Sequence, residues 1–185
     1  MALAYTETQV EIREISLRDR PKELYQASEK GTVPVLITLD SVVIDESLDI
    51  MVWALKNSLK QTWLIDNCDD DVDAINQNDT LFKKWLDRYK YHDRYLENSK
   101  EYYRMQCSNV LSDYEKKLNK TKYLLRNTIG IADIAIFPFV RQFANIDYQW
   151  FENNYSSLKY WLEEITSSQL FLKVMDKKNT WIAKD

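Results

Sequence analysis

Lys30-Gly31-Thr32-Val33-Pro34-Val35-Leu36 and, further along, Val43-Ile44-Asp45-Glu46-Ser47-Leu48 are the two stretches that decide the fold. In the first, a tight turn leads through a Val-Pro bond into a short apolar strand. In the second, a short strand runs into an acidic residue and a serine that open a helix. Because proline has no N–H and readily takes a cis peptide bond, a proline at a strand start is typical of a tight, purposeful turn. The two stretches predict short strands over residues 33–39 and 42–44, followed by a helix.

The same residues predict a binding site for a small peptide that carries an amino-acid head group. The backbone of Val33 can pair with an extended ligand as a strand edge does. The helix that starts near Glu46 and Ser47 offers free N–H groups and a positive dipole end to a carboxylate. The Glu46 carboxylate can take the ammonium group of the same ligand, while Asp45 caps the helix.

A third motif, Gly130-Ile131-Ala132-Asp133-Ile134-Ala135-Ile136-Phe137-Pro138-Phe139, opens a helix that is apolar nearly all round. With the three motifs in this order, the chain resembles the glutathione transferase (glutathione S-transferase) family of bacterial type. That family carries a T/K-V-P-x-L strand, an E/Q-S pair at a helix start and an S/T-x-A-D-I-A-x-F-P segment. The resemblance covers nearly the whole chain.

The resemblance implies an α/β thioredoxin-like N-terminal domain over residues 1–58, a linker over 59–72 and an all-α helical-bundle domain over 73–185. It implies that Val33 and Pro34 bind the cysteinyl part of glutathione. Glu46 and Ser47 would bind the γ-glutamyl part, and Lys30 would reach a carboxylate.

Gly130 and Asp133 belong to the third motif and are expected to be structural. An acid at the third helical position can bond back to the backbone N–H of the capping residue, as in a capping box. The family has Ser or Thr at the cap, and this chain has Gly130, so the side-chain half of the box is lost.

The beginning of the chain departs from the family. Residues 10–15 alternate apolar and charged side chains, which predicts a half-buried strand. Set against the family, this is the second strand, so the first strand and the loop with the catalytic Tyr, Ser or Cys are expected to be missing. No residue matches the catalytic one, because Tyr5 falls at the end of the first helix. We therefore expect this chain to bind glutathione weakly and to conjugate poorly.

The function that the resemblance implies is attack of the glutathione thiolate on small electrophiles, in a homodimer, with glutathione as substrate and no metal. A second hypothesis is a non-catalytic binding or scaffold protein, since an unpaired strand edge favours pairing with a partner. A third is a glutaredoxin-like thiol reductase, which needs a cysteine in the missing loop.

Composition limits the other classes of function. The 185 residues carry a net charge of −4 and only two glycines, so neither a basic nucleic-acid surface nor a glycine-rich phosphate loop is predicted. No apolar run is long enough to span a membrane, and the N-terminus does not have the pattern of a secretory signal. Cys68 and Cys107 show no metal-ligand spacing and suit a reducing compartment, which favours the cytoplasm.

Several residues outside the three motifs have structural interpretations. Cys107 lies on an apolar helical stripe and is expected in the core, and the lone His92 is expected on a helix surface. The run Asp69-Asp70-Asp71 is expected to be a solvated loop or a helix N-terminus. Aromatic residues at helical spacing predict core packing more than a co-substrate pocket: Trp85, Tyr89, Tyr102, Tyr103 and Tyr114.

Overall fold

The computed structural model describes residues 1–64 and 69–182 of the chain. They form two compact units. The first unit comprises Met1–Gln61 together with Gln169–Asp185, and the second comprises Thr62–Ser168. Cys68, one of the two cysteines, lies outside the described residues.

The first unit combines a small sheet with helices. Its elements are α1 (Ala2–Tyr5), α2 (Lys22–Ala27), β1 (Leu36–Ile37), β2 (Val43–Ile44), α3 (Ser47–Lys56) and α10 (Gln169–Met175). The two strands are antiparallel, with Leu36 opposite Ile44 and Ile37 opposite Val43. The hairpin that the sequence predicts is therefore present, although its ladder is shorter than the predicted strands.

Residues 10–15 do not form the predicted strand. In the described part of the chain, their strand-like contact is an isolated parallel bridge between Glu14 and Thr180, where the Trp181 N–H donates to the Glu14 carbonyl at 2.7 Å. The alternating pattern describes which side chains share a face, but a strand also needs a neighbour that supplies its hydrogen bonds. Val10 and Ile12 accordingly remain 39% and 60% exposed.

The second unit is helical. Its elements are α4 (Asp69–Gln77), a π-helical turn (Asn78–Phe82), α5 (Lys83–Lys90), a 3-10 turn (His92–Arg94), α6 (Lys100–Leu118), α7 (Ile131–Ala144), α8 (Tyr148–Asn154) and α9 (Ser156–Ser167). Helix α7 is buried along most of its length, as its apolar sequence predicts. None of the described helices combines the length and apolar character needed to cross a membrane.

The core of the second unit is rich in aromatic side chains. Tyr89, Tyr103 and Tyr114 are fully buried, in agreement with the core interpretation, whereas Tyr102 is 36% exposed. Cys107 is also fully buried, and burial raises the pKa of its thiol to about 12. A thiol held in the neutral form is a poor nucleophile, so Cys107 is a packing residue.

The Tyr114 hydroxyl is the basis of a first prediction. It is buried without a hydrogen-bond partner among the described residues, and burial of an unpaired hydroxyl is unfavourable. We expect Tyr114→Phe to raise the free energy of unfolding by about 1 kcal/mol, measured by urea denaturation.

Tyr103→Phe is the matched control for this prediction. The Tyr103 hydroxyl lies 3.2 Å from the Tyr95 carbonyl oxygen and 3.2 Å from a Glu97 carboxylate oxygen. Its removal should lower the free energy of unfolding by about 1 kcal/mol. Equal losses in both variants would show that the Tyr114 hydroxyl has a stabilising partner.

Candidate functional site

The loop at residues 30–34 is held against the start of helix α3 by Lys30. Its Nζ lies 2.5 Å from Glu46 Oε1 and 3.1 Å from Asp45 Oδ1. Hydrogen bonds to Glu46 and then to Asp45 raise the pKa of Lys30, which keeps the ammonium charged at neutral pH. Residues 30–34 and the Glu46-Ser47 pair, which are separate stretches of sequence, thus meet in one place.

Asp45 does not cap helix α3 as predicted. Its Oδ2 accepts a hydrogen bond from the Ser28 hydroxyl at 2.7 Å, and Oδ1 binds Lys30. These bonds, the one from Ser28 first, lower the pKa of Asp45. Ser28 and Lys30 bind the carboxylate that the local sequence assigns to the cap, and no side chain among the described residues caps the first N–H groups of α3.

The two residues at the helix start are open to solvent. Glu46 occupies the N-cap position in an extended conformation, and Ser47 is the first helical residue. Both are exposed, so the uncapped N–H groups of the first turn lie beside one exposed carboxylate and one exposed hydroxyl. This arrangement can bind an ammonium group and a carboxylate side by side.

Val33 and Pro34 form the other part of the site. The peptide bond between them is cis, and Val33 is 46% exposed. Among the described residues, none makes a hydrogen bond with the backbone N–H or carbonyl of Val33. These groups are available to the main chain of a ligand.

Gly31 shapes the turn that precedes Val33. Its φ of +58° lies in the left-handed region, which glycine adopts without a steric penalty. A Cβ atom there would stand 2.3 Å from the ring of Tyr25. The Arg20 guanidinium donates to the Gly31 carbonyl at 3.0 Å and fixes the turn from the other side.

Asp133 holds the start of helix α7 in the second unit. Its Oδ2 accepts from the Gly130 N–H at 2.9 Å. Its Oδ1 accepts from the Leu124 N–H at 3.0 Å and from the Trp161 indole N–H at 2.8 Å. Burial raises the pKa of Asp133, and the three donors partly offset that effect. The residue ties three segments together and has a structural position.

Asp71 is a second buried carboxylate at the same helix start, and its inward position was not predicted from the sequence. It is 4% exposed, pairs with the Arg126 guanidinium through both oxygens and accepts from the Ala132 N–H at 3.3 Å. The Asp69–Asp71 run forms the first turn of α4, as the helix N-terminus interpretation predicts, but Asp71 is buried and not solvated. The three consecutive acids look alike in sequence, and no local signal singles out the one that faces inward.

A neighbouring side chain, and not the backbone conformation, favours glycine at residue 130. Its φ is −125°, which any residue can adopt. A Cβ atom at this position, however, would stand 2.1 Å from an Arg126 guanidinium nitrogen. Because Asp71 holds that guanidinium in place, a side chain at residue 130 would meet a group that cannot move freely.

His92 and a metal site are the remaining candidates. His92 begins an exposed 3-10 turn in the second unit, as a surface residue should. Within residues 1–64 and 69–182, no three Asp, Glu, His or Cys side chains converge in a way that could hold a metal ion.

Sequence comparison finds two family matches that together account for most of the chain. Residues 1–58 match the family described as "Glutathione S-transferase, N-terminal domain". Residues 78–169 match "Glutathione S-transferase, C-terminal domain". All of the predicted site residues fall inside one or the other match.

Curated relatives match over shorter segments. Glutathione S-transferase F13 of Arabidopsis thaliana is 35% identical over 65 residues, which is 35% of this chain and 30% of the relative. Glutathione S-transferase F4 of the same plant is 25% identical over 75 residues, or 40% of this chain and 31% of the relative. The matched segments thus span less than a third of these relatives.

Solved structures show the same fold at low sequence identity. Glutathione transferase URE2P6 from Phanerochaete chrysosporium, crystallised with oxidized glutathione, superimposes with a TM-score of 0.80 at 16% identity, covering 94% of this chain and 86% of that one. Glutathione transferase F7 from Populus trichocarpa gives 0.77 at 19% identity, covering 94% and 89%. The predicted fold class, a thioredoxin-like domain followed by a helical domain, is confirmed.

Proposed function

Since the chain belongs to the glutathione S-transferase family, we propose that it binds glutathione in its first unit and directs the glutathione thiol at small electrophiles. We assign glutathione binding to residues 1–58 and the apolar surface for the electrophile to the helical residues 73–185, with 59–72 as a linker. We also propose that it acts as a homodimer in the cytoplasm, where glutathione is kept reduced.

The observation that carries this proposal is the contact between Lys30 and Glu46. At 2.5 Å it brings the Val33–Pro34 turn and the start of helix α3 together. A tripeptide with an amino-acid head group needs both of these features. The unpaired Val33 backbone would take the cysteinyl part, with Pro34 beside it, as a strand edge takes an extended peptide.

The γ-glutamyl part would bind at the start of helix α3. Its carboxylate would accept hydrogen bonds from the uncapped first-turn N–H groups and from the Ser47 hydroxyl. Its ammonium group would pair with the Glu46 carboxylate, which Lys30 holds in the free chain. Binding therefore exchanges one ammonium group for another at Glu46, and Lys30 becomes free to reach a ligand carboxylate.

The chemistry of the reaction needs the thiolate of glutathione. Its sulfur attacks the electrophilic carbon, a C–S bond forms, and the leaving group departs with the electron pair of the broken bond. The thiol proton passes to water before the attack. The residues we assign here bind and orient glutathione, and the group that stabilises its thiolate is not among them.

The glutaredoxin-like alternative needs a reactive cysteine. Cys107 does not suit that role, because it is buried and its pKa is raised.

The proposed binding mode predicts a specific effect of Glu46→Gln. The substitution keeps the size of the side chain but removes the charge that would bind the ammonium group. We expect the affinity for reduced glutathione to fall by about tenfold or more, because a hydrogen bond to a charged group contributes about 1.5–3 kcal/mol. Isothermal titration calorimetry with reduced glutathione measures the change.

Asp19→Asn is the matched control, because it removes one exposed carboxylate from the same unit at a position outside the site. Its affinity should stay within about twofold of the wild-type value. Absence of binding at millimolar glutathione, or equal affinity in Glu46→Gln and wild type, would contradict the proposal.

A further inference from the structure

Lys30 is shared between two carboxylates in the proposed glutathione site. Its Nζ lies 2.5 Å from Glu46 Oε1 and 3.1 Å from Asp45 Oδ1. The three side chains carry one positive and two negative charges, so the group as a whole is acidic. A ligand that brings an ammonium group to Glu46 must therefore compete with an ammonium group that the chain already holds there.

The two carboxylates differ in how firmly they are held. The Asp45 side chain is 28% exposed and also accepts a hydrogen bond from the Ser28 hydroxyl at 2.7 Å. The Glu46 side chain is 60% exposed, and among the described residues it bonds to Lys30 alone. Asp45 is thus the fixed partner of Lys30, and Glu46 is the partner that a ligand can exchange.

The turn that carries Lys30 is also fixed. The next residue, Gly31, donates its N–H to the Ser28 carbonyl at 3.0 Å. The Gly31 carbonyl accepts from the Arg20 guanidinium at 3.0 Å. When the ammonium group leaves Glu46, movement is therefore confined to the side chain of Lys30, whose four-carbon stem is flexible.

The charges of the ligand decide whether the loss of the Lys30–Glu46 contact is compensated. A ligand with a carboxylate at the end away from its ammonium group gives Lys30 a new partner in place of Glu46. A ligand that has a neutral group at that end breaks the contact and puts nothing in its place.

Glutathione belongs to the first kind of ligand. Its γ-glutamyl end carries an ammonium group and a carboxylate, and its glycine end carries a second carboxylate. The glycine end follows the cysteinyl part, which we assign to Val33. Lys30 lies on the turn that leads into Val33, on the side chain nearest in sequence that carries a positive charge.

We propose that Lys30 determines the specificity of the site by occupying Glu46 in the free chain. It leaves Glu46 when the ammonium group of the ligand arrives, and a carboxylate at the other end of the ligand compensates for the contact that is lost. Lys30 therefore weakens the binding of ligands that end in a neutral group. The inference rests on the proposed function, because it concerns the same site.

A direct contact between Lys30 and the ligand would by itself have a different effect. If Lys30 only bound the glycine carboxylate, its removal would weaken the binding of glutathione and leave a neutral-ended ligand unaffected. If Lys30 also occupies Glu46, its removal strengthens the binding of the neutral-ended ligand, because the Glu46 carboxylate is then free. The sign of that change separates the two mechanisms.

The experiment compares reduced glutathione with reduced glutathione amide, in which a carboxamide of nearly the same size replaces the glycine carboxylate. Isothermal titration calorimetry with the full chain measures both affinities. The wild-type chain should bind glutathione about two- to fivefold more tightly than the amide, which is the range of one exposed ion pair.

Lys30→Met removes the ammonium group and keeps the length of the side chain. It should raise the affinity for glutathione amide by about two- to fivefold. The affinity for glutathione should change by less than about threefold, because the free Glu46 carboxylate offsets the lost contact to the glycine carboxylate. The preference for glutathione over the amide should therefore nearly disappear.

Lys60→Met is the matched control. Lys60 also forms an exposed ion pair, with its Nζ 2.7 Å from a Glu7 carboxylate oxygen, and it lies in the same unit outside the site. The two variants have the same net charge, and circular dichroism checks that both are folded. The affinities of Lys60→Met should stay within about 1.5-fold of the wild-type values, because salt screens exposed charges that lie apart.

The double variant of Lys30→Met and Glu46→Gln locates the effect at Glu46. Glu46→Gln removes the carboxylate that Lys30 occupies, so the addition of Lys30→Met should not raise the affinity for the amide above that of Glu46→Gln alone. An equal gain with and without the Glu46 carboxylate would overturn the inference, because the gain would then arise elsewhere.

An unchanged or lower affinity of folded Lys30→Met for glutathione amide would also overturn the inference. The proposed function would stand in that case, provided that wild type binds glutathione and that Glu46→Gln weakens this binding. Absence of glutathione binding by wild type at millimolar concentration would overturn both.

Discussion

Asp133→Ala is expected to lower the free energy of unfolding by about 4 kcal/mol. The substitution removes the acceptor of three hydrogen bonds, from Gly130, Leu124 and Trp161, and leaves these donors in a buried site. Each unsatisfied buried donor costs about 1–3 kcal/mol, and release of the desolvated carboxylate offsets part of the total. Urea denaturation followed by circular dichroism measures the loss.

Asp133→Asn separates the hydrogen bonds from the charge. Its amide oxygen can keep the Leu124 and Trp161 bonds, while its NH₂ group must face the Gly130 N–H. We therefore expect about half of the loss seen in Asp133→Ala. The exposed Asp70→Ala should change the free energy of unfolding by less than about 0.5 kcal/mol. A loss below about 1 kcal/mol in Asp133→Ala would mean that the α7 start is held by other contacts.

Arg126→Ala is expected to lower the free energy of unfolding by about 3–5 kcal/mol, because it leaves the buried Asp71 carboxylate without its ion pair. The double variant, which combines Arg126→Ala with Asp71→Ala, also removes the unpaired carboxylate. Its loss should be smaller than the sum of the two single losses, with a coupling energy of about 2 kcal/mol. The same denaturation measurement on the four proteins gives this coupling.

Lys122→Ala is the matched control for Arg126→Ala. Lys122 Nζ lies 2.8 Å from a Glu164 carboxylate oxygen, but these side chains are 56% and 43% exposed. Water screens an exposed pair, so the loss should not exceed about 1 kcal/mol. Equal losses in Lys122→Ala and Arg126→Ala would show that burial of Asp71 does not set the energy of its pair.

The features that sequence predicted well are those that depend on neighbours along the chain. The helix start at Ser47, the hairpin on either side of Asp40 and the helix start at Ile131 each follow from a few adjacent residues. Turn residues, an acid-serine pair and an apolar run act locally, so their effects survive without knowledge of the rest of the fold.

The features that sequence missed depend on partners far away in the chain. Asp45 is drawn from its expected cap by Ser28, 17 residues earlier. Asp71 is held by Arg126, 55 residues later. Local propensity cannot rank a nearby cap against a distant ion pair, because the energies are of similar size and only the tertiary structure brings the distant partner close.

The same limit explains the N-terminal segment. The alternation over residues 10–15 is typical of a strand with one apolar face, yet Val10 and Ile12 are 39% and 60% exposed. Whether such a segment becomes a strand depends on the backbone beside it, which periodicity does not describe.

The contact between Gly130 and Arg126 also restricts the substitutions that residue 130 can accept. A serine or threonine at residue 130 would restore a side-chain cap for α7, but its Cβ would meet the guanidinium nitrogen 2.1 Å away. The guanidinium would have to shift away from the Asp71 carboxylate, and a buried acid without its ion pair is costly. The side-chain cap of α7 and this ion pair are therefore coupled, and a substitution that adds the cap is expected to weaken the pair.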